Sequence, residues 1–292
     1  MKVWKIKYFI FTFIFVLITV MQACVKDDPD LIPTYISIDS IQLISNPNIA
    51  HLEGSLSHNI TDAWIFVDGE YLGTYELPAT FPILKDGTHT LEIKSGIKIN
   101  GISGTRGMYS LYEAYNTEVD FVKDSVIKVN PRVYYRDFTS FVWMEDFEDG
   151  HSSIVPSSRS DTIVELTSDV HKVFEGSFSG IINLDASRFL FEGYSGESYE
   201  LPHSGEAIYL EMDFKTNNPT LVGMLVNIYG EEIQSSVLVL NKTDEWKKIY
   251  INMTNAVNIY PASSTYSVYF QVLKQDDVSF PEVLFDNIKL VY

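Results

Sequence analysis

Short segments in which apolar and polar residues alternate recur along most of this chain. Five of them are rich in Val, Ile, Tyr and Phe and have a period of two residues: THTLEIKSG, AIYLEMDFKT, EWKKIYINMT, STYSVYFQVL and EVLFDNIKLVY. Such alternation is typical of β-strands with one buried face. Gly, Asn, Asp, Ser and Pro separate the segments, and no segment keeps the period of a helix. The pattern therefore predicts an all-β protein built from β-sandwiches.

The length of the chain, 292 residues, allows two ordinary domains. We expect a first sandwich over residues 35–130 and a second over residues 145–292, joined by a connector at 131–144. The connector is rich in aromatic residues, which is unusual for a flexible linker, and we therefore expect the two domains to pack together. Residues 24–34 would then form a short tether in front of the first domain.

The amino terminus has the pattern of a secretory signal. Three lysines precede the apolar run YFIFTFIFVLITV, which is shorter than the roughly 20 residues that a helix needs to cross a bilayer. The small residue Ala23 and the only cysteine, Cys24, follow this run. The pattern predicts that residues 1–23 are removed by cleavage.

The end of this signal, MQAC, resembles a bacterial lipobox, at which a peptidase cuts before a cysteine. The resemblance implies that Cys24 carries acyl chains such as palmitate, and several chains anchor a protein far more firmly than one, at about 0.8 kcal/mol for each buried methylene. Lys26, Asp27 and Asp28 resemble the export signal of lipoproteins displayed on certain Gram-negative bacteria. We therefore expect a protein that is lipid-anchored in the outer membrane and faces the cell exterior. The alternative is an ordinary signal followed by a free cysteine.

The charge of the chain narrows the range of partners. Without the three lysines of the signal, 18 basic residues stand against 39 acidic ones, a net charge of −21. Such a surface repels phosphate backbones and anionic headgroups, so nucleic acid is excluded as a partner. A lipidated Cys24 also leaves no thiol for a disulfide, so that burial and hydrogen bonds must stabilise the fold.

Two Asp-Gly pairs mark turns in the first domain. Asp68-Gly69 is suited to a two-residue hairpin loop, because glycine tolerates positive φ, and Asp86-Gly87 leads into the strand that begins at Thr88. This part of the chain resembles the PEGA-like and related immunoglobulin-like modules of bacterial envelope proteins. The resemblance implies a spacer or docking role without catalytic residues. The matching residues are Val67, Asp68, Gly69, Gly73, Pro78, Gly87, His89 and Leu91.

A glycine-rich segment, GIKINGISGTRGMYSLYEAY, follows in the first domain and carries tyrosines at 109, 112 and 115. Tyrosines on a long loop can form a recognition surface, since they offer flat contact area with a polar tip. Alternatively, they fold back onto the sandwich or face the second domain, because long ordered loops are commonly stabilised by their own side chains.

The second domain contains, in order, the segments EDFEDG, FEGSFSG, EWKK and FDNIKL. This order resembles the jelly-roll modules of the carbohydrate-binding and galactose-binding-like type. In such modules two acidic positions often share a structural calcium, and the resemblance assigns them to Glu148 and Asp286, with Glu145 or Asp146 as helpers. Carboxylates are suitable because calcium takes six to eight oxygen ligands. The alternative is that these acids form turns and satisfy edge backbone groups.

Sugar sites in these modules use aromatic rings against the apolar face of a pyranose, with polar groups on the hydroxyls. The resemblance makes Tyr194, Tyr199 and His203 the candidate ligand-binding residues, since they lie among glycines and serines in FEGYSGESYELPHSGE. The alternative is a structural role for each, because aromatic residues dominate β cores. Trp246 is a weaker candidate, since the Trp-Lys position of such modules commonly packs in the core.

Signatures of catalysis are absent from the sequence. GYSGE and GSFSG do not place serine at the centre of Gly-x-Ser-x-Gly, and the six histidines show no His-Glu-x-x-His spacing. A hydrolytic pair of carboxylates depends on spatial separation, which one sequence does not reveal. We therefore expect a non-catalytic surface lipoprotein that binds glycan through its jelly roll. The alternatives are a structural or adhesion component that contacts envelope proteins without a sugar site, and a jelly-roll polysaccharide lyase or hydrolase.

Overall fold

The computed structural model describes residues 32–292. Cys24 and the signal before it, together with Lys26, Asp27 and Asp28, lie outside the described residues. Within 32–292 the chain forms β-strands and one short helix, which confirms the prediction of an all-β fold. In the same range, no helix is long and apolar enough to pass through a bilayer.

The N-terminal strands form two main sheets around one core. One sheet has the order β5-β1-β9, in which β1 and β9 are parallel, and the other has the order β4-β3-β6-β7, with β8 also paired to β6. β2 and β10 form a separate parallel pair. The strands are β1 (Thr34–Ile38), β2 (Gln42–Leu43), β3 (Asp62–Val67), β4 (Glu70–Glu76), β5 (Ala79–Ile83), β6 (Gly87–Lys98), β7 (Arg106–Met108), β8 (Tyr115–Phe121), β9 (Val126–Val129) and β10 (Arg132–Val133).

The hairpin between β3 and β4 has the predicted Asp-Gly turn. Asp68 and Gly69 have φ angles of 53° and 78°, and Val67 pairs with Glu70 across the loop. Two successive residues with positive φ match the twist of the flanking strands. Gly87 has a φ of 85° and begins β6, one residue before the predicted start of that strand.

The C-terminal strands form a sandwich of two antiparallel sheets. A six-stranded sheet has the order β13-β14-β21-β16-β19, with β11 paired to β21, and a five-stranded sheet has the order β12-β15-β20-β17-β18. Phe270 and Phe285 meet between the sheets, with ring centroids 5.1 Å apart. The elements are β11 (Phe141–Glu145), β12 (Ile154–Pro156), β13 (Glu165–Thr167), β14 (Ser179–Asn183), β15 (Leu190–Ser195), β16 (Tyr209–Thr216), β17 (Thr220–Ile228), β18 (Glu231–Leu240), β19 (Lys247–Asn252), α1 (Thr254–Asn258), β20 (Thr265–Leu273) and β21 (Glu282–Val291).

The outer face of the six-stranded sheet is covered by the N-terminal part of the chain. Tyr209 of β16 and Tyr250 of β19 belong to the N-terminal core, where both contact the ring of Tyr109. Tyr109 and Tyr112 are buried there. The alternative in which tyrosines of the glycine-rich segment face the C-terminal sandwich is therefore confirmed for these two.

Candidate functional site

Tyr194 lies on the outer face of the five-stranded sheet. Phe191 of β15 is part of the C-terminal core, and because side chains alternate along a strand, Glu192 and Tyr194 lie on the opposite face. Tyr194 is half-buried and stands directly opposite Tyr269 of β20. On its other side it pairs with Val155 of β12. An accessible ring on a sheet face that neighbouring strands hold in place can stack against a ligand without a large ordering cost.

Glu192 organises the polar groups beside Tyr194. Its carboxylate accepts hydrogen bonds from Arg159, Tyr269, Gln271 and Ser157, at distances between 2.5 and 3.2 Å. Arg159 binds it through two nitrogens, Nε and Nη2, a fork that fits a carboxylate. The carboxylate is thus saturated, and it fixes the four side chains around it.

The charge of Glu192 follows from these contacts. Burial raises its pKa, but the hydrogen bonds from Arg159, Tyr269, Ser157 and Gln271 together outweigh burial and leave the pKa below its ordinary value. The carboxylate is therefore ionised at neutral pH. The side chain of Arg159 is still 60% exposed, so much of it faces solvent.

Tyr199 and His203 lie elsewhere, around Tyr266 of β20. The backbones of Tyr199 and Tyr266 exchange two hydrogen bonds, of 2.8 and 2.9 Å, and Nε2 of His203 is 3.2 Å from the Tyr266 hydroxyl. Tyr266 belongs to the C-terminal core and Tyr199 packs against that core, so burial raises the pKa of Tyr199 to about 12. The structure therefore brings Tyr199 and His203 together but separates them from Tyr194, which lies on the other face of the sheet.

Glu148 and Asp286 line one cavity of about 300 Å³, together with Asp146 and Glu175. Oε1 of Glu148 accepts the backbone N–H groups of Ser177 and Phe178, and these bonds lower its pKa. Asp286 accepts a 2.6 Å hydrogen bond from the Ser179 hydroxyl, and burial raises its pKa to about 7. The two residues from the predicted calcium site thus share a cavity whose walls carry carboxylate oxygens.

The same residues fit a calcium ion only in part. Carboxylate oxygens are the ligands that calcium prefers, but no group of three or more His, Cys, Asp and Glu residues within 32–292 is arranged to hold a metal. Glu145, a proposed helper, instead accepts hydrogen bonds from Phe147 and Ser153. Several of these acids therefore bind loop backbone, as the alternative interpretation describes, and the calcium ion stays a prediction.

Sequence reasoning did not find Arg159, Glu192, Tyr269 and Gln271 as members of a site. The only available signal was Glu192, an acidic residue inside the apolar run FLFEGY. A buried charge within an apolar strand requires partners. The partners themselves lie on a different strand and on the loop after β12, so the sequence alone does not identify them.

Comparisons with known proteins find structural similarity only. No family model matches the chain, and no curated protein matches it by sequence. Among solved structures, a carbohydrate-binding module of the β-sandwich superfamily, described for promiscuous specificity, is 14% identical, with a TM-score of 0.40, and the match covers 79% of this chain and 85% of that one.

Two further similar structures are also carbohydrate-binding modules. TmCBM61, solved in complex with β-1,4-galactotriose, is 17% identical over 50% of this chain and 93% of its own, with a TM-score of 0.33. The family 30 module of the cellulase Cel9D-Cel44B of Clostridium thermocellum is 19% identical over 52% and 92%, with a TM-score of 0.34. These structural neighbours share the β-sandwich fold, and at such identities and TM-scores they do not say what this chain binds.

Proposed function

We propose that this protein is a non-catalytic, lipid-anchored surface protein that binds a glycan on the outer face of its five-stranded sheet. The single observation that carries the proposal is the cross-strand pair of Tyr194 and Tyr269 beside the network of Glu192. A half-buried aromatic ring offers an apolar surface to a pyranose. Arg159 and Gln271, which Glu192 holds on the same face of the sheet, are donors suited to sugar hydroxyls.

Binding, rather than hydrolysis, agrees with the state of the carboxylate at this face. Glycosidases pair a protonated acid with a second carboxylate. Glu192 is ionised and accepts four different side chains, so it has no proton to donate. Its role in the proposal is to position Arg159 and the tyrosine hydroxyl.

The lipid anchor is proposed from the N-terminal sequence. MQAC places Cys24 four residues after the end of a short apolar run, and Lys26, Asp27 and Asp28 follow within four residues of it. Acylation of Cys24 would hold the chain on the outer membrane, facing outward. Intact-mass measurement of protein extracted from membranes tests this part, and an unmodified Cys24 in the mature protein contradicts it.

Affinity gel electrophoresis of the segment Val25–Tyr292 through a panel of plant, algal and microbial glycans tests binding at the sheet. We expect at least one glycan to retard the protein, and we expect Tyr194→Ala to abolish the retardation. Tyr229→Ala is the matched control, because Tyr229 is 87% exposed at the turn after β17. Equal retardation of both variants contradicts the proposed site. If no glycan retards the protein and envelope proteins co-purify with it from the native membrane, the adhesion alternative is favoured instead.

A further inference from the structure

Phe138, in the connector between the two cores, is an exposed aromatic residue on a rigid turn. Its side chain is 69% exposed. The N–H of Thr139 bonds to the carbonyl of Arg136 at 2.9 Å, which closes the turn around Phe138. Ser140 and Tyr292 then exchange two backbone hydrogen bonds, of 2.8 and 3.1 Å. The turn is therefore held at both of its ends.

Asp137, the residue before Phe138, attaches the turn to the N-terminal core. Its Oδ1 accepts hydrogen bonds from the side-chain amides of Asn46, at 2.7 Å, and Asn48, at 3.1 Å. Asn46 is buried and also donates to the carbonyl of Tyr135 at 2.7 Å. An exposed ring on a backbone that is already fixed loses little freedom when it binds a ligand. Phe138 itself is exposed, so burial of its ring does not explain why these hydrogen bonds hold the turn in place.

Phe138 lines two cavities. The larger has a volume of about 550 Å³ and includes Arg136, Glu206 and Tyr292 in its wall. The smaller has a volume of about 440 Å³, and its polar wall residues are Asn46, Asn48, Glu113, Tyr134 and Asp137. Both volumes lie in the usual range of small-molecule sites.

The polar groups around the ring define the chemistry of a ligand. Carboxylates, amides and a guanidinium, all planar, surround an apolar platform, and together they offer donors and acceptors for hydroxyl groups. Arg136 lies over the ring of Phe138, with its guanidinium carbon 5.6 Å from the ring centre. Nε of Arg136 is 3.8 Å from Oε1 of Glu113. Glu113, Asp137 and Glu206 outnumber this one cation, so the site repels an anionic ligand.

We propose that Phe138 is the platform of a second glycan site, which takes a neutral oligosaccharide with one sugar in each cavity. The ligand class rests on the proposed function, but the site is separate from the outer face of the five-stranded sheet. Glu206 and Tyr292 come from the C-terminal sandwich, whereas Asn48 and Glu113 come from the N-terminal part. Neither part of the chain therefore forms the site alone.

Isothermal titration of the full chain, purified in detergent, tests the second site. The probes are cellohexaose, xylohexaose, mannohexaose, laminarihexaose and β-1,4-galactohexaose, with polygalacturonate as the anionic comparison. We expect Phe138→Ala to weaken binding of at least one neutral hexasaccharide by at least about tenfold. Phe138→Trp, which keeps an aromatic platform, should retain binding.

Phe280→Ala is the matched control, since Phe280 is also an exposed phenylalanine, at 76%. Circular dichroism checks that the variants fold, and Phe138→Leu replaces Phe138→Ala should the latter unfold. Equal affinities of Phe138→Ala and Phe280→Ala for the oligosaccharide overturn the second site. If Tyr194→Ala still weakens binding in that case, the proposed function stands without a second site. Phe138-dependent binding of polygalacturonate overturns the neutral-sugar assignment. If none of the five neutral hexasaccharides binds, the second site is overturned. Affinity gel electrophoresis with the wider glycan panel then tests the proposed function separately.

Discussion

The hydroxyl of Tyr135 lies 2.8 Å from Oε2 and 3.0 Å from Oε1 of Glu211, and both side chains are fully buried. Tyr135 belongs to the N-terminal core, whereas Glu211 lies on β16 of the C-terminal sandwich. The Tyr109 hydroxyl donates to the same carboxylate, and Nζ of Lys248 is 3.8 Å away. A buried carboxylate is costly without partners. Glu211 therefore depends on tyrosines from the N-terminal part, and this dependence couples the two cores.

Replacement of Tyr135 by Phe removes one donor to this carboxylate without removing the ring. We expect a loss of about 1–3 kcal/mol in the free energy of unfolding, because a buried charged acceptor loses a partner. Urea denaturation measures the change. Tyr71→Phe is the control, since the Tyr71 hydroxyl bonds to Thr74 at the surface, and its effect should stay within about 0.5 kcal/mol. A Tyr135→Phe variant as stable as the parent protein would show that Glu211 does not need this donor.

Lys289 on β21 predicts a rise in stability between neutral and moderately alkaline pH. The side chain is buried, and burial lowers its pKa from 10.5 to about 8. Between these two values the unfolded chain binds more protons than the folded one, so stability increases as the pH rises through this window. From pH 7.5 to pH 9 the gain amounts to roughly 1 kcal/mol.

Urea denaturation of Lys289→Met at the two pH values isolates this contribution. The variant lacks the titrating amine, so the gain from this group should disappear. Lys128→Met is the control, because the Lys128 side chain is 60% exposed, and it should keep the pH dependence of the parent protein. An unchanged gain in Lys289→Met assigns the effect to another group.

Local signals in the sequence were sufficient for the strands and the tight turns. The Asp68-Gly69 hairpin, for example, depends on two residues that accept positive φ and on the strands next to them. The predicted sugar residues show the limit. Tyr194 pairs with Tyr269 of β20 and Tyr199 pairs with Tyr266. Because these partners are three residues apart on one strand, Tyr194 and Tyr199 lie on different faces of the sheet. The glycines and serines around Tyr199 give no sign that its backbone pairs with β20.

The outer face of the six-stranded sheet shows a second limit. In YLEMDF, Glu211 and Asp213 alternate with apolar residues, which is typical of a strand with one face in water. Both are buried, because the N-terminal part covers that face. Period-two alternation distinguishes the two faces of a strand, but it does not say whether a polar face meets solvent or another part of the protein.

A single methyl group added at Gly176 is expected to lower the melting temperature strongly. It has a φ of +70°, and a Cβ at this position would lie 2.7 Å from Cδ of Glu148. The added carbon would push Glu148 away from the backbone N–H groups of Ser177 and Phe178. Gly205, at φ +86°, has nothing within 4 Å of its Cβ position, so Gly205→Ala bears only the backbone penalty, of about 1–2 kcal/mol. We expect Gly176→Ala to lower the melting temperature more than Gly205→Ala does, and equal shifts would show that Glu148 moves aside freely.

Calcium is expected to stabilise the chain through Glu148 and Asp286. An ion that binds only the folded state raises stability by mass action, and the cavity shared by these residues has oxygen ligands on its wall. Scanning calorimetry at pH 7.5 should therefore give a higher melting temperature in about 1 mM calcium chloride, roughly one to ten times the dissociation constant of extracellular calcium modules, than in EGTA. Glu148→Gln and Asp286→Asn should each remove the difference.

Asp277→Asn is the control for the calcium experiment, because Asp277 is an exposed carboxylate bound to Lys242 at 2.9 Å. It should keep the full difference between calcium and EGTA. Magnesium chloride at the same concentration separates a specific site from general screening of the acidic surface, since magnesium demands a smaller and more regular shell of ligands. A melting temperature that is the same in calcium and in EGTA would leave the acids of this cavity with the structural role that their bonds to Ser177, Phe178 and Ser179 already give them.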